Sequence, residues 1–173
     1  RLRLSGPAPS LALGGRGGNN NGGNSSYLYL GADNTIFTDS ILVGRGKQGG
    51  DSSILFNTNA FPEPQAVFRG ADGQSRVALW SIADSEGISG TVNTRGSCQF
   101  LGGYVDAWVD QLYIAKSSTG SGSGTPAGYW TMERGILDVN RLYVGYQSIP
   151  GANGARGTLR LLGPGIIRVN DSL

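Results

Sequence analysis

Leu112-Tyr113-Ile114-Ala115-Lys116 and Leu142-Tyr143-Val144-Gly145-Tyr146 are two copies of one unit. In both, an apolar residue, an aromatic, a second apolar residue, a small residue and a polar or aromatic residue follow one another. Reading outward, Leu11-Ala12-Leu13-Gly14 and Ile41-Leu42-Val43-Gly44-Arg45 repeat the pattern, and Trp80-Ser81-Ile82-Ala83-Asp84 is a looser copy. The units start at 11, 41, 80, 112 and 142, and Leu173 would start the next, so the spacings are 30, 39, 32, 30 and 31. Internal periods of this size signal a repeat architecture.

A polar stretch rich in Gly, Ser or Asn follows each copy: GGRGGNNNGGNSS, GRGKQGGDSS, SSTGSGSGTPAG, SIPGANGARG. A second apolar strand then begins at Tyr27, Ile54, Cys98, Trp130 and Leu159, and a third at Ile36, Val67, Tyr104, Ile136 and Ile166. Asp39, Asp110 and Asn140 close third strands; these residue types tolerate tight turns. The near-identical heptapeptides RLRLSGP (1–7) and TLRLLGP (158–164) are both expected in the second strand of a unit, about five turns apart.

Three short strands per unit, with no helical period anywhere, predict an all-β coil. A sandwich needs hairpin alternation and has no fixed repeat phase; a solenoid has one. The expectation is a single β-solenoid domain over 1–173 with about five rungs of three short strands. Equivalent strands would stack in parallel about 4.8 Å apart, so that each rung buries its apolar side chains against the next. Alternation puts Leu112, Ile114, Leu142 and Val144 inside and Tyr113 and Tyr143 outside. The long interval carries Pro62 and Pro64, and residues 57–75 are expected to protrude as a loop. Stacking also predicts a column of Thr38, Arg69, Asp106, Asp138 and Arg168, with Asp106 facing Arg69 and Asp138 facing Arg168.

The 30 glycines displace both apolar and charged residues, and charged residues make up 15% of the 173. Low charge argues against disorder, which needs strong self-repulsion and little apolar content. Net charge is +2 with Lys and Arg scattered, so no basic stripe marks a nucleic-acid partner. No apolar run is long enough for a membrane helix, and membrane insertion by this segment is not expected. The single cysteine, Cys98, reads as a small buried hydrophobe. With no initiator Met and repeating text at both ends, the chain reads as a piece of a longer protein.

The stretches GTLRLLGPGIIRVND and GILDVNRLYVGYQ, with alternating apolar positions and Gly-bounded strands, resemble bacterial extracellular β-solenoids of the autotransporter passenger-repeat type. The resemblance implies a right-handed parallel β-helix, extracellular or displayed on the cell surface. It implies a structural role without catalysis: a stalk, a display element or a filament subunit that adds end to end or continues into flanking repeats of the same chain.

Several motifs bear on chemistry. Gly44-Arg45-Gly46-Lys47-Gln48-Gly49 has the spacing of a phosphate loop but is followed by another strand, DSSILF, where that chemistry needs a helix. QGGDSSILF departs from the calcium-binding nonapeptide in the offset of its Asp. No cofactor or metal is therefore expected. With no histidine, Ser-His-Asp and Cys-His catalysis are excluded. A polysaccharide-degrading enzyme would need only two carboxylates, and Asp106 and Asp138 are the candidates, one rung apart. Neighbouring arginines would lower both pKa values and deny it an acid. A carbohydrate-binding or adhesive role would use exposed aromatics, for which Trp108, Tyr113, Tyr143 and Tyr146 are the candidates, with glycans as partners.

Overall fold

The computed structural model describes residues 2–16, 25–46, 50–85, 93–118, 124–149 and 154–171. Leu173 and most of the polar stretches between first and second strands, including Lys47, Gln48 and Gly49, lie outside these residues. Among the described residues every element is a strand and every strand pair is parallel. The chain is a parallel β-solenoid.

Three ribbons run along it. The first stacks β2 (Ser10–Arg16), β5 (Ser40–Gly46), β8 (Val77–Asp84), residues 111–117 of β9 (Arg95–Ser117) and residues 141–147 of β10 (Ala127–Gln147). The second stacks β3 (Ser26–Leu30), β6 (Asp51–Phe56), residues 95–100 of β9, residues 127–132 of β10 and β11 (Arg156–Leu161). The third stacks β1 (Leu2–Arg3), β4 (Asp33–Phe37), β7 (Gln65–Arg69), residues 104–109 of β9, residues 134–139 of β10 and β12 (Ile166–Val169).

The five unit starts recognised in the sequence form one inward column, Leu11–Ile41–Trp80–Leu112–Leu142, which makes five levels separated by four turns. Second strands align as Leu28–Ile54–Cys98–Trp130–Leu159. The inward column of the third ribbon is Leu2–Ile36–Phe68–Ala107–Leu137–Ile167. From Ile41 to Leu137 the members of these columns are sealed from solvent. Burying a large apolar side chain completely is worth roughly 1.5–3 kcal/mol, so stacking supplies the driving force that no single rung has. Cys98 is fully buried within this stack, and burial pushes its thiol pKa up, which keeps it protonated.

One corner explains part of the glycine content. The residue after the second inward position of each first strand has a positive φ at all five levels: Gly14 (58°), Gly44 (73°), Ala83 (56°), Ala115 (64°) and Gly145 (70°). The chain bends in the left-handed region here, where a Cβ is costly, and only small residues occupy the position.

The structure corrects three expectations of position. The heptapeptides do not share a phase: Leu2–Arg3 pair with Ile36–Phe37 in the third ribbon, whereas residues 159–161 lie in the second. An alternating Leu-x-Leu tract fits any ribbon of a solenoid, so similarity alone does not set the phase. Residues 57–75 are not one loop; β7 (Gln65–Arg69) pairs within the third ribbon and divides them into excursions on either side. Nor do Thr38 and Asp106 stand in the outward column of Arg69, Asp138 and Arg168. Phe37 is opposite Arg69, and Asp138 is opposite Trp108 on one side and Arg168 on the other. Asp106 pairs with Ile136, two residues short of Asp138. The cause is a corner: three residues (Leu101, Gly102, Gly103) separate Phe100 from Tyr104, but only Glu133 separates their partners Met132 and Arg134. Counting along the chain cannot see this slip.

Candidate functional site

On the outer face of the first ribbon, Tyr113 and Tyr143 lie directly opposite each other. Their rings are stacked, with centroids 4.6 Å apart and planes 7° apart. Tyr146 closes the group at 5.4 Å from Tyr113 and 5.0 Å from Tyr143. The Lys116 ammonium lies 5.1 Å from the Tyr113 ring centroid and 3.4 Å from Asp84. Burial, then the Tyr143 and Tyr146 hydroxyls, push the Tyr113 phenol pKa up. Tyr113 thus stays protonated and donates to Gln111 Oε1 at 3.2 Å. One face of Tyr113 and one face of Tyr143 are therefore turned toward each other. Trp108 is not part of this cluster. It stands on the third ribbon with the Arg69 guanidinium 3.9 Å over its ring.

The candidate carboxylates are also occupied. Asp106 accepts from Arg69 at 2.6 Å. Asp138 accepts from Arg76 at 2.6 Å, Arg168 at 2.9 Å and Asn170 at 2.6 Å. Burial alone would raise the Asp138 pKa, but the bonds from Asn170, Arg76 and Arg168 outweigh it and hold the carboxyl below the ordinary range. A general acid needs the opposite shift. What this cluster does is clamp four levels, since it reaches from the loop after β7 across β9 to β10 and on to β12. Next to it, Asp110, Asn140 and Asn170 form an amide ladder at the corner: Asn140 donates to Asp110 at 2.9 Å and Asn170 to Asn140 at 3.1 Å.

A pH dependence follows. A carboxyl whose folded pKa lies below its unfolded value stabilises the fold fully above the unfolded value, near 3.9. That contribution disappears as pH falls through the lowered folded value. Asp138→Asn is therefore expected to cost about 1–3 kcal/mol at pH 7 and progressively less as pH falls through the lowered folded value, because the parent's carboxyl loses its charge there as well. Urea titrations of both proteins across the acid range measure this. A loss that stays constant from pH 7 to the acid limit of the titration would contradict it.

The second ribbon holds a feature outside the residues singled out in the sequence. The outward residue before each second-strand inward position is Tyr27, Ser53, Ser97, Tyr129 and Thr158, in one column. Two exposed tyrosines, 50% and 45% accessible, therefore bracket two serines that are 5% and 8% accessible. The result is an open cleft of about 610 Å³, with Gln99 and Thr131 along one side and Asp51 and Arg95 along the other. Ser53 and Ser97 share a hydrogen bond of 2.8 Å, and Gln99 donates to Ser97 at 3.0 Å. The signal was legible: shifting the aligned second strands by one position produces the Tyr-Ser-Ser-Tyr column. Among the described residues no group of three His, Cys, Asp or Glu is placed to hold a metal ion.

No protein-family model matches this sequence, and comparison with curated proteins and with solved structures returned no significant match.

Proposed function

We propose that this chain is a structural segment, a stacked-coil scaffold of an extracellular or cell-surface protein that serves as a stalk, display element or filament unit. The observation that carries the reading is the unbroken stacking of all three ribbons, with inward columns sealed across the middle levels and outward charges tied to neighbouring levels. Such an object gains length by adding rungs, each contacting only its neighbours. The last level leaves Leu161, Val169 and Val144 40%, 46% and 45% exposed, an apolar section on which a further coil of this chain, or an end of a second copy, would stack. The resemblance to passenger repeats supports the same setting.

A scaffold of this kind resists proteolysis within its strands. Trypsin cleavage of the native protein after Arg69, Lys116, Arg134 and Arg141 is expected to be at least about 100-fold slower than in the urea-unfolded chain, because cleavage there requires opening of paired strands. Mass spectrometry of timed digests reads the individual sites. Comparable rates in the two states would rule out the scaffold reading.

A further inference from the structure

We propose that the cleft on the second ribbon binds an extended neutral oligosaccharide, with Tyr27 and Tyr129 as stacking platforms and the serine floor with Gln99 and Thr131 as the hydrogen-bonding strip. The two tyrosines are three levels apart, about 14 Å at ~4.8 Å per level. That separation suits a chain of flat rings lying along the solenoid axis, one ring over each tyrosine. Sugar rings present C–H faces to aromatic rings and hydroxyls at their edges. The cleft offers the matching order of apolar platform, polar floor, apolar platform.

The same geometry argues against other occupants. Arg95 and Asp51 line one side, 3.9 Å apart, and carry opposite charges, so the cleft has no net attraction for an anionic chain. Its floor is polar and wide open, where a compact apolar ligand needs an enclosed apolar wall. A peptide that adds as a strand needs an unpaired sheet edge, and the strands flooring the cleft are paired on both sides. Neither does the cleft compete with the tyrosine cluster of the first ribbon, whose rings already stack on each other.

Heteronuclear NMR titration of the full chain with cellohexaose, xylohexaose and mannohexaose, and separately with oligogalacturonate, tests this. The expected result is saturable binding of at least one neutral oligosaccharide, with shift changes confined to β3, β6 and the second-ribbon parts of β9 and β10. Tyr27→Ala and Tyr129→Ala should each weaken it about tenfold, and the double variant should abolish it. Tyr27→Phe and Tyr129→Phe should keep binding within about threefold, because the ring is retained. Tyr143→Ala should leave it unchanged. The proposal is overturned by any of these results: no saturable binding of the three neutral probes at millimolar concentration, tighter binding of oligogalacturonate, shift changes centred on another ribbon, or alanine variants that bind like the parent. All but the last are read on the unmodified protein and do not depend on the folding of a variant.

Discussion

Replacing Gly135 with alanine is expected to cost this protein at least about 3 kcal/mol, more than any surface substitution. Gly135 is the second residue of the third-ribbon part of β10, opposite Val105, just past the corner where β9 has two more residues than β10. With fewer residues to cover the same turn, β10 passes close over the Val105 peptide. A Cβ at Gly135 would lie 1.9 Å from the Val105 carbonyl oxygen and 2.7 Å from its carbonyl carbon and nitrogen. The backbone also has φ +109°, a value that L side chains rarely adopt. Both penalties fall on backbone within a sheet, so no side chain can swing away to relieve them. Gly154→Ala is the control, because nothing lies within 4 Å of a Cβ there, and it should change stability by less than about 0.5 kcal/mol. Thermal melts of the two variants check the contrast. A Gly135→Ala protein that melts like the parent would show that the corner relaxes freely.

Trp80→Ala should be comparably damaging for a different reason. Trp80 is fully buried in the first ribbon and meets rings from the other two: Phe68 at 4.7 Å, Trp130 at 4.9 Å and Phe100 at 6.5 Å. Removing it opens a cavity where the ribbons meet, and large aromatic truncations of this kind cost about 3–5 kcal/mol. For a domain of this size that lowers the melting temperature by roughly 6–20 °C. Because stability in a solenoid is a sum of neighbour terms, the loss should also weaken the coupling between levels on either side. The expected signature is a broader urea transition with a lower apparent m-value, along with the lower midpoint. Trp80→Phe should recover most of the loss by keeping a ring in contact with Phe68 and Trp130. A full-length cooperative transition at the parent's midpoint for Trp80→Ala would refute this account of the core.

The architecture was written in local pattern. Leu11, Ile41, Trp80, Leu112 and Leu142 recur with a small residue, Gly or Ala, three positions on, and the structure stacks all five in one column. A repeated rung has one efficient way to bury its apolar face, which is against the next copy, so period and alternation carry the fold. They do not carry lateral placement across a corner. The two extra residues at Gly102 and Gly103 shift Asp106 away from Asp138 and set Trp108 in the place expected for a carboxylate. Arg69 still reaches Asp106, but diagonally, and lies over Trp108 as well. The candidate sites were therefore only half legible. Tyr113 and Tyr143 were correctly placed side by side, yet only coordinates reveal that their rings close on each other while Tyr27 and Tyr129 stay open across a serine floor. The sequence alone determined which residues face in and that the chain coils, because burial is repeated at every rung. The tertiary structure decided which outward side chains meet, because register across a corner depends on how many residues turn it, and a single level with a longer corner resets every neighbour that follows.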